Sequence, residues 1–184
     1  MQSFTQLFLL LLAATLATRL WLANRHVRYV LAHRTRVPPA FKGRIKLATH
    51  HKAADYTVAK TRFGRLTMLI DTALLLIWTL GGGLDLLDQA WRSAGFGQLV
   101  TGTAFLLSVF LIFGLLDIPA SLYQTFVIEE RFGFNRSTPA LFFTDLLKQA
   151  LLLLFIGLPL GLAALWLYAA LGTLVGRDGR LLTG

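Results

Sequence analysis

Four long apolar stretches constrain this chain more than any other feature of its sequence. They run over about 4–22, 66–87, 99–118 and 150–175, and each carries few charges. A helix of about 20 residues is long enough to cross a hydrocarbon core of about 30 Å. Because lipid offers the backbone no hydrogen-bond partner, a spanning segment must satisfy its own polar groups. The sequence therefore predicts an all-α membrane protein with about four transmembrane helices and helical cytoplasmic extensions.

Composition and charge indicate which class of partner, nucleic acid or lipid, suits this chain. Of the 184 residues, 55% are hydrophobic and 15% are charged, and the formal net charge is +9. A soluble domain of this size needs more polar surface. Most phenylalanines lie in or beside the apolar stretches, so the positive charge favours anionic lipid over nucleic acid. The chain has no cysteine, which excludes disulfides and thiolate metal sites.

The distribution of basic residues predicts the orientation. Of 18 Lys and Arg residues, 11 lie between Arg25 and Arg65, so the segment of about 24–65 is expected to be cytoplasmic. The segment of about 120–149 is also basic and returns to the same side. Both termini are then outside, and a bacterial inner membrane is the expected location. The first stretch favours a retained anchor over a cleaved signal peptide, because its positive charges follow it.

The first cytoplasmic segment contains one helical periodicity. Apolar residues recur at spacings of three and four from Ala53 through Tyr56 and Phe63 to Ile70, which predicts a helix that enters the second span without interruption. This helix either lies among lipid headgroups or docks against a cytoplasmic domain. His50 and His51 are adjacent rather than four residues apart, which disfavours a shared metal ion.

The second cytoplasmic segment contains a turn and a helix start. Gly133 is expected to end the helix before it, and Thr138 with Pro139 is typical of a capped helix N-terminus. Glu129 and Glu130 are adjacent, so their side chains diverge on a helix and a pair of catalytic carboxylates is disfavoured. Within the apolar stretches, Asp71 and Asp117 are assigned by default to helix packing. Close helix approach or a kink is permitted by Gly81, Gly82, Gly83, Gly157, Pro159 and Gly161, and packing is again the default.

Two runs of sequence are informative when taken together. One run is Phe126–Asn135, which reads FVIEERFGFN and is followed by Arg136, Ser137 and Thr138. It resembles a motif of the CAAX prenyl protease 1 family of integral-membrane zinc metallopeptidases. The other is His51–Lys60, which resembles the family's first cytoplasmic loop and follows Val37, Pro38 and Phe41. The two runs occur in the family's order with the expected spans between them. The resemblance covers the whole chain, 1–184, as the N-terminal membrane domain.

The resemblance implies a fold and a set of expectations. The family fold is a chamber of seven membrane helices, and its zinc is held by an H-E-x-x-H motif and a further Glu. No such motif occurs in this sequence, so no catalytic, metal or cofactor residue is assigned, and zinc is implied only for the complete protein. The residues expected to carry the family motif and to dock the catalytic part are Lys52, Asp55, Tyr56, Glu129, Glu130, Arg131, Phe132, Gly133, Phe134 and Asn135.

The resulting hypothesis is that the chain is the membrane scaffold of a protease whose catalytic domain is absent here, through truncation or a split gene. The expected partners are the lipid bilayer, the catalytic C-terminal half and, in the complete enzyme, a peptide substrate. A non-catalytic membrane scaffold derived from the family is the first alternative. A transporter or channel fragment is the second, and it rests on Asp71, Asp117 and the glycines.

Overall fold

A computed structural model describes residues 2–41 and 43–181 of the chain, so residues 1, 42 and 182–184 of the expected domain lie outside the described residues. Within the described residues, the chain is helical and contains no strand, which confirms the all-α prediction. The α-helices are α1 (Gln2–His33), α2 (Leu47–Thr79), α3 (Gly83–Ser93), α4 (Gln98–Tyr123), α5 (Pro139–Leu152) and α6 (Leu158–Leu181). A 3₁₀ turn forms at Pro39–Phe41, and π-helical segments form at Gln124–Glu129 and Leu153–Gly157.

Three helical runs among the described residues are long and apolar enough to cross a membrane. They are Ser3–His33, Gln98–Glu129 and Pro139–Tyr168, and the bent pair of α2 and α3 raises the number to four if it forms one span. Large apolar side chains along these runs are exposed, including Phe155 at 77% and Trp166 at 62%. Exposed apolar surface of this extent suits contact with lipid rather than water.

The second apolar stretch is interrupted at its glycines. The stretch of about 66–87 was expected to form one helical span with a kink permitted at Gly81–Gly83; in the structure α2 ends at Thr79 and α3 begins at Gly83, with a bend of 49° between them. Gly82 has φ +83°, a left-handed conformation that ends helices and that glycine adopts without strain. A Cβ on Gly83 would lie 3.0 Å from the Cα of Trp78. The glycines therefore break the helix.

Three other local expectations were confirmed. The helix α2 continues from the polar segment into the apolar stretch without interruption. Thr138 caps α5, since its hydroxyl accepts a hydrogen bond from the backbone N–H of Leu141, and Pro139 occupies the first turn. Gly133 forms the expected turn with φ +63°. Local turn and capping chemistry determines these three features.

The described chain divides into two compact units. The first unit comprises Met1–Ile77 and Pro119–Arg136, and the second comprises Trp78–Ile118 and Ser137–Gly184. In the described chain, the buried apolar residues are Val27, Ala54, Val58 and Ile128, each 6–7% exposed. All of them belong to the first unit.

The second unit packs through small residues on α4 and α6. Thr103 on α4 is only 1% exposed, and a Cβ on Gly161 of α6 would lie 3.1 Å from its Cγ2. A Cβ on Gly102 would lie 2.8 Å from a methyl carbon of Leu165. Small residues that let helices approach closely are typical of packing within membranes. This confirms the packing role expected for Gly161.

Candidate docking site

Tyr56 is the centre of the contacts between the two motif runs, 51–60 and 126–135, both of which belong to the first unit. Its ring lies 4.8 Å from the ring of Phe134 and 5.7 Å from that of Phe132, measured between centroids. Its hydroxyl donates a hydrogen bond of 3.4 Å to Oε1 of Glu129. These four residues are called the Tyr56 cluster below. The cluster joins two motif segments that are 73 residues apart in sequence.

Helix periodicity explains why α2 presents Tyr56 to the other segment. Tyr56 and Phe63 are seven residues apart and therefore lie on one face of α2. Phe63 contacts Tyr123 at a centroid distance of 4.9 Å. Two positions on the apolar face that the sequence predicted therefore make aromatic contacts with the other segment. Further along the same face, Leu66 is 52% exposed and Ile70 is 49% exposed.

A compact turn places the two phenylalanines beside Tyr56. The carbonyl of Glu129 accepts hydrogen bonds from the backbone N–H groups of Phe134, at 2.9 Å, and Asn135, at 3.3 Å. The amide of Asn135 donates to Oε2 of Glu130 at 2.9 Å. The two adjacent glutamates therefore have different partners, because neighbouring side chains on a helix point in different directions.

Cations surround the aromatic rings of the cluster. Nζ of Lys52 lies 5.3 Å from the ring centroid of Phe134, and the guanidinium of Arg131 lies 5.9 Å from that of Phe132. Nζ of Lys60 lies 5.7 Å from the ring of Tyr56 and donates to its hydroxyl at 3.4 Å. Cation–π contacts at exposed sites contribute about 0.5–1 kcal/mol each. Lys52 and Arg131 are exposed, so the cluster presents positive charge to its surroundings.

Asp55 lies beside the cluster in sequence but has a different partner. Both of its carboxylate oxygens accept hydrogen bonds of 2.7 Å from Arg34, which follows the end of α1. These hydrogen bonds hold the pKa of the Asp55 carboxyl below its usual range. Nearby, Nε2 of His50 donates to the carbonyl of His33 at 3.1 Å. These contacts tie the start of α2 to the end of α1.

The structure brings together most of the residues that the sequence singled out. Every candidate except Asp55 belongs to the Tyr56 cluster, its turn or its cation shell. Sequence reasoning missed two contributing residues, Lys60 and Arg34. Lys60 follows Tyr56 by four residues, and this spacing on a helix could have revealed it. Arg34 lies 21 residues from Asp55, and no periodicity links the two positions.

The described residues do not suit a zinc ion. No group of three or more His, Cys, Asp or Glu side chains among them could hold a metal. His50 and His33 meet only through a backbone carbonyl. What the Tyr56 cluster and its cations present instead is aromatic surface and positive charge.

Comparison with known proteins places these features in a family. The family described as "CAAX prenyl protease N-terminal, five membrane helices" matches residues 26–175, which is most of the chain. The chain belongs to this family. It is similar to CAAX prenyl protease 1 of Saccharomyces cerevisiae, with 30% identity over 72% of the chain and 32% of the relative. It is also similar to the CAAX prenyl protease 1 homolog of Mus musculus, with 34% identity over 80% of the chain and 32% of the relative.

A solved structure agrees with this membership. The fold is similar to that in a crystal structure of S. mikatae Ste24p, with TM-score 0.69 and 28% identity over 80% of this chain and 35% of that one. The family resemblance expected from the two sequence motifs is confirmed, and the chain is a multi-pass integral membrane protein. It spans about a third of the length of the curated relatives it matches.

Proposed function

We propose that this chain is the N-terminal transmembrane scaffold of a membrane-embedded zinc metalloendopeptidase and forms part of the chamber around its peptide substrate. The observation that carries the proposal is the Tyr56 cluster, which holds both family motifs together within the first unit. A cluster already folded in this chain offers a rigid surface to a catalytic half. Phe134 remains 45% exposed there, which leaves apolar surface for a partner to cover.

The chain contributes position rather than chemistry to this function. In the complete enzyme, zinc would polarise the peptide carbonyl and lower the pKa of bound water, and its ligands would come from the catalytic half. The exposed cations Lys52 and Arg131 favour a partner surface that carries carboxylates. The helices would separate the peptide from lipid. Family membership supports a prenylated C-terminal peptide as the substrate, since the relatives are CAAX prenyl proteases.

The proposed orientation places both cytoplasmic segments on one side of the membrane and both termini on the other. Its support is the distribution of basic residues. The chain has no cysteine, so single introduced cysteines report topology directly. Thr35→Cys should react with an impermeant thiol reagent only after the cells are opened, and Ser93→Cys should react in intact cells. The reverse pattern would overturn the orientation. The bacterial inner membrane stays a prediction.

Reconstitution with a catalytic half tests the proposed function. The chain would be co-expressed with the H-E-x-x-H part of a family relative, and co-purification and cleavage of a prenylated peptide would be measured. We expect assembly and cleavage, and about tenfold weaker assembly for Phe134→Ala, which removes a central aromatic contact. The matched control is Phe155→Ala, at a phenylalanine that is 77% exposed on another segment.

Two outcomes would contradict the proposal. If the chain and the catalytic half do not associate, the non-catalytic scaffold becomes the better interpretation. If the purified chain alone binds stoichiometric zinc and cleaves peptide, the assignment of catalysis to a separate half is wrong.

A further inference from the structure

A small cavity between α1 and α2 concentrates positive charge. It has a volume of about 430 Å³ and is lined by Asn24, Val27, Arg28, Leu31, Arg62 and Arg65. Three guanidinium groups therefore line one cavity, and no carboxylate does. All six residues belong to the first unit. Guanidinium groups brought together in this way repel one another unless an anion lies between them.

Among the described residues, no carboxylate forms an ion pair with an arginine of this cavity. Within residues 2–41 and 43–181, neither Arg28 nor Arg62 forms an ion pair. Arg65 donates to the side-chain oxygen of Asn24, but its Nε is buried without a hydrogen-bond partner. On α2 the acidic residues on either side of these arginines are Asp55, which is paired with Arg34, and Asp71, which does not line the cavity. The cavity therefore retains several donors and the charge to bind an anion.

The position of the cavity along the helices indicates which anion it meets. On α1 the apolar stretch ends at Leu22, two residues before Asn24, and on α2 it begins at Leu66, directly after Arg65. Both helices thus change from apolar to basic at the same cavity. In a bilayer this change marks the headgroup layer, where lipid phosphate groups lie. Val27 and Leu31 add an apolar wall beside the charges.

We propose that this cavity binds the phosphate group of an anionic phospholipid. The planar guanidinium fork matches phosphate geometry and can form two hydrogen bonds at once. Arg28 comes from α1 whereas Arg62 comes from α2, so one phosphate would bridge the two helices. The proposal needs only the membrane location of the chain and does not depend on the proposed protease function.

Lipid retention by the purified chain tests the proposal. Native mass spectrometry would count bound lipids after titration with phosphatidylglycerol, phosphatidylcholine or inorganic phosphate. We expect one retained phosphatidylglycerol per chain. The double variant Arg28→Gln/Arg62→Gln should bind it about tenfold more weakly, since it loses hydrogen bonds to a charged group. The matched control is Arg36→Gln/Arg44→Gln, which removes the same charge outside the cavity.

Each of the following results would contradict the proposed binding of an anionic phospholipid in this cavity. Equal weakening in the control would reduce the effect to general surface charge. Equal retention of phosphatidylcholine would show that the anionic charge is not recognised, and saturable binding of inorganic phosphate with the same sensitivity to the variants would assign the site to soluble phosphate. If the double variant does not fold, Arg62→Lys serves instead. It keeps the charge but loses the fork, so we expect about threefold weaker binding, and unchanged binding would contradict the geometry.

Discussion

The two units of the chain bury different kinds of side chain. The buried apolar residues of the first unit are Val27, Ala54, Val58 and Ile128, and all lie outside the apolar stretches of the sequence. In the second unit the described residues that are buried are two threonines, Thr101 and Thr103, and both lie inside an apolar stretch. The first unit thus buries apolar residues from its more polar runs, whereas the second buries polar residues from an apolar stretch.

The difference follows from the solvent around each segment. Outside the membrane, burying apolar surface removes it from water, which stabilises the fold by about 25 cal/mol per Å². Inside the membrane the surrounding lipid is as apolar as leucine, so burying leucine gains little. Close approach of helices through glycine and threonine then provides the packing energy. The polar runs of the first unit therefore pack as segments of a soluble protein do, and α4 and α6 of the second unit pack as helices of a membrane bundle do.

The substitution with the largest expected effect tests whether close packing of small residues stabilises the second unit. Gly161→Leu should destabilise the second unit by about 3 kcal/mol, because overpacking a tight contact forces the helices apart. Even a Cβ at this position would lie 3.1 Å from Cγ2 of Thr103, and a β-branched side chain that is 1% exposed has little freedom to move. The measurement is the thermal unfolding midpoint in detergent.

The matched control for that experiment is Gly114→Leu on α4. No atom lies within 4 Å of a Cβ built on Gly114, so the larger side chain should extend into lipid or detergent with little change in the midpoint. If both variants unfold at the same temperature as the unsubstituted chain, close glycine packing does not stabilise the second unit.

The second prediction concerns the first unit. Tyr56→Ala should destabilise it by about 2 kcal/mol, because it removes two aromatic contacts and a hydrogen bond. Tyr56→Phe should cost about 0.5 kcal/mol, since the hydrogen bond to Glu129 is long at 3.4 Å. Protease sensitivity of the segment 119–136 gives a local readout. The control is Tyr168→Ala, at a tyrosine of the second unit that is 79% exposed. Equal sensitivity of the two alanine variants would show that the Tyr56 cluster does not hold the segment.

Much of this fold could be predicted because local chemistry determines it. The apolar stretches predict helices, and Thr138 with Pro139 and Gly133 predict a cap and a turn. The sequence did not decide between close helix packing and a kink at Gly81–Gly83, since the same three glycines permit both. The left-handed φ of Gly82 shows that the helix breaks there.

The candidate site, like the fold, could be predicted only in part from the sequence. The family motifs indicated which residues matter, and helix periodicity placed Tyr56 and Phe63 on one face. Periodicity does not specify what that face meets, so the contact of Tyr56 with Phe132 and Phe134 required the folded structure. The partner of Asp55 could not be predicted, because Arg34 belongs to a segment with no recognisable spacing to it.

The smallest predicted effect comes from a comparison of one ion pair in each unit. Arg34 and Asp55 join two helices at 2.7 Å, whereas Lys148 and Asp145 pair within α5 at 3.2 Å and are more exposed. Exposed ion pairs add little to the stability of the fold. A bidentate Arg–Asp pair that joins separate helices stabilises it more than a Lys–Asp pair within one helix turn. Asp55→Asn should therefore lower the unfolding midpoint of the chain by about 1–2 °C at neutral pH, and Asp145→Asn should leave it unchanged.

The pH dependence of the same pair gives the sign of its contribution. Arg34 lowers the pKa of Asp55 in the folded chain, so its stabilisation is fully present above the unfolded value of about 3.9. It is lost as the pH falls through the lower folded pKa, where the carboxyl gains a proton. The midpoints of the unsubstituted chain and Asp55→Asn should thus converge below about pH 4. A difference that stays constant from neutral pH to acid would mean that the side chain acts through packing rather than charge, and the two units would then differ only in what they bury.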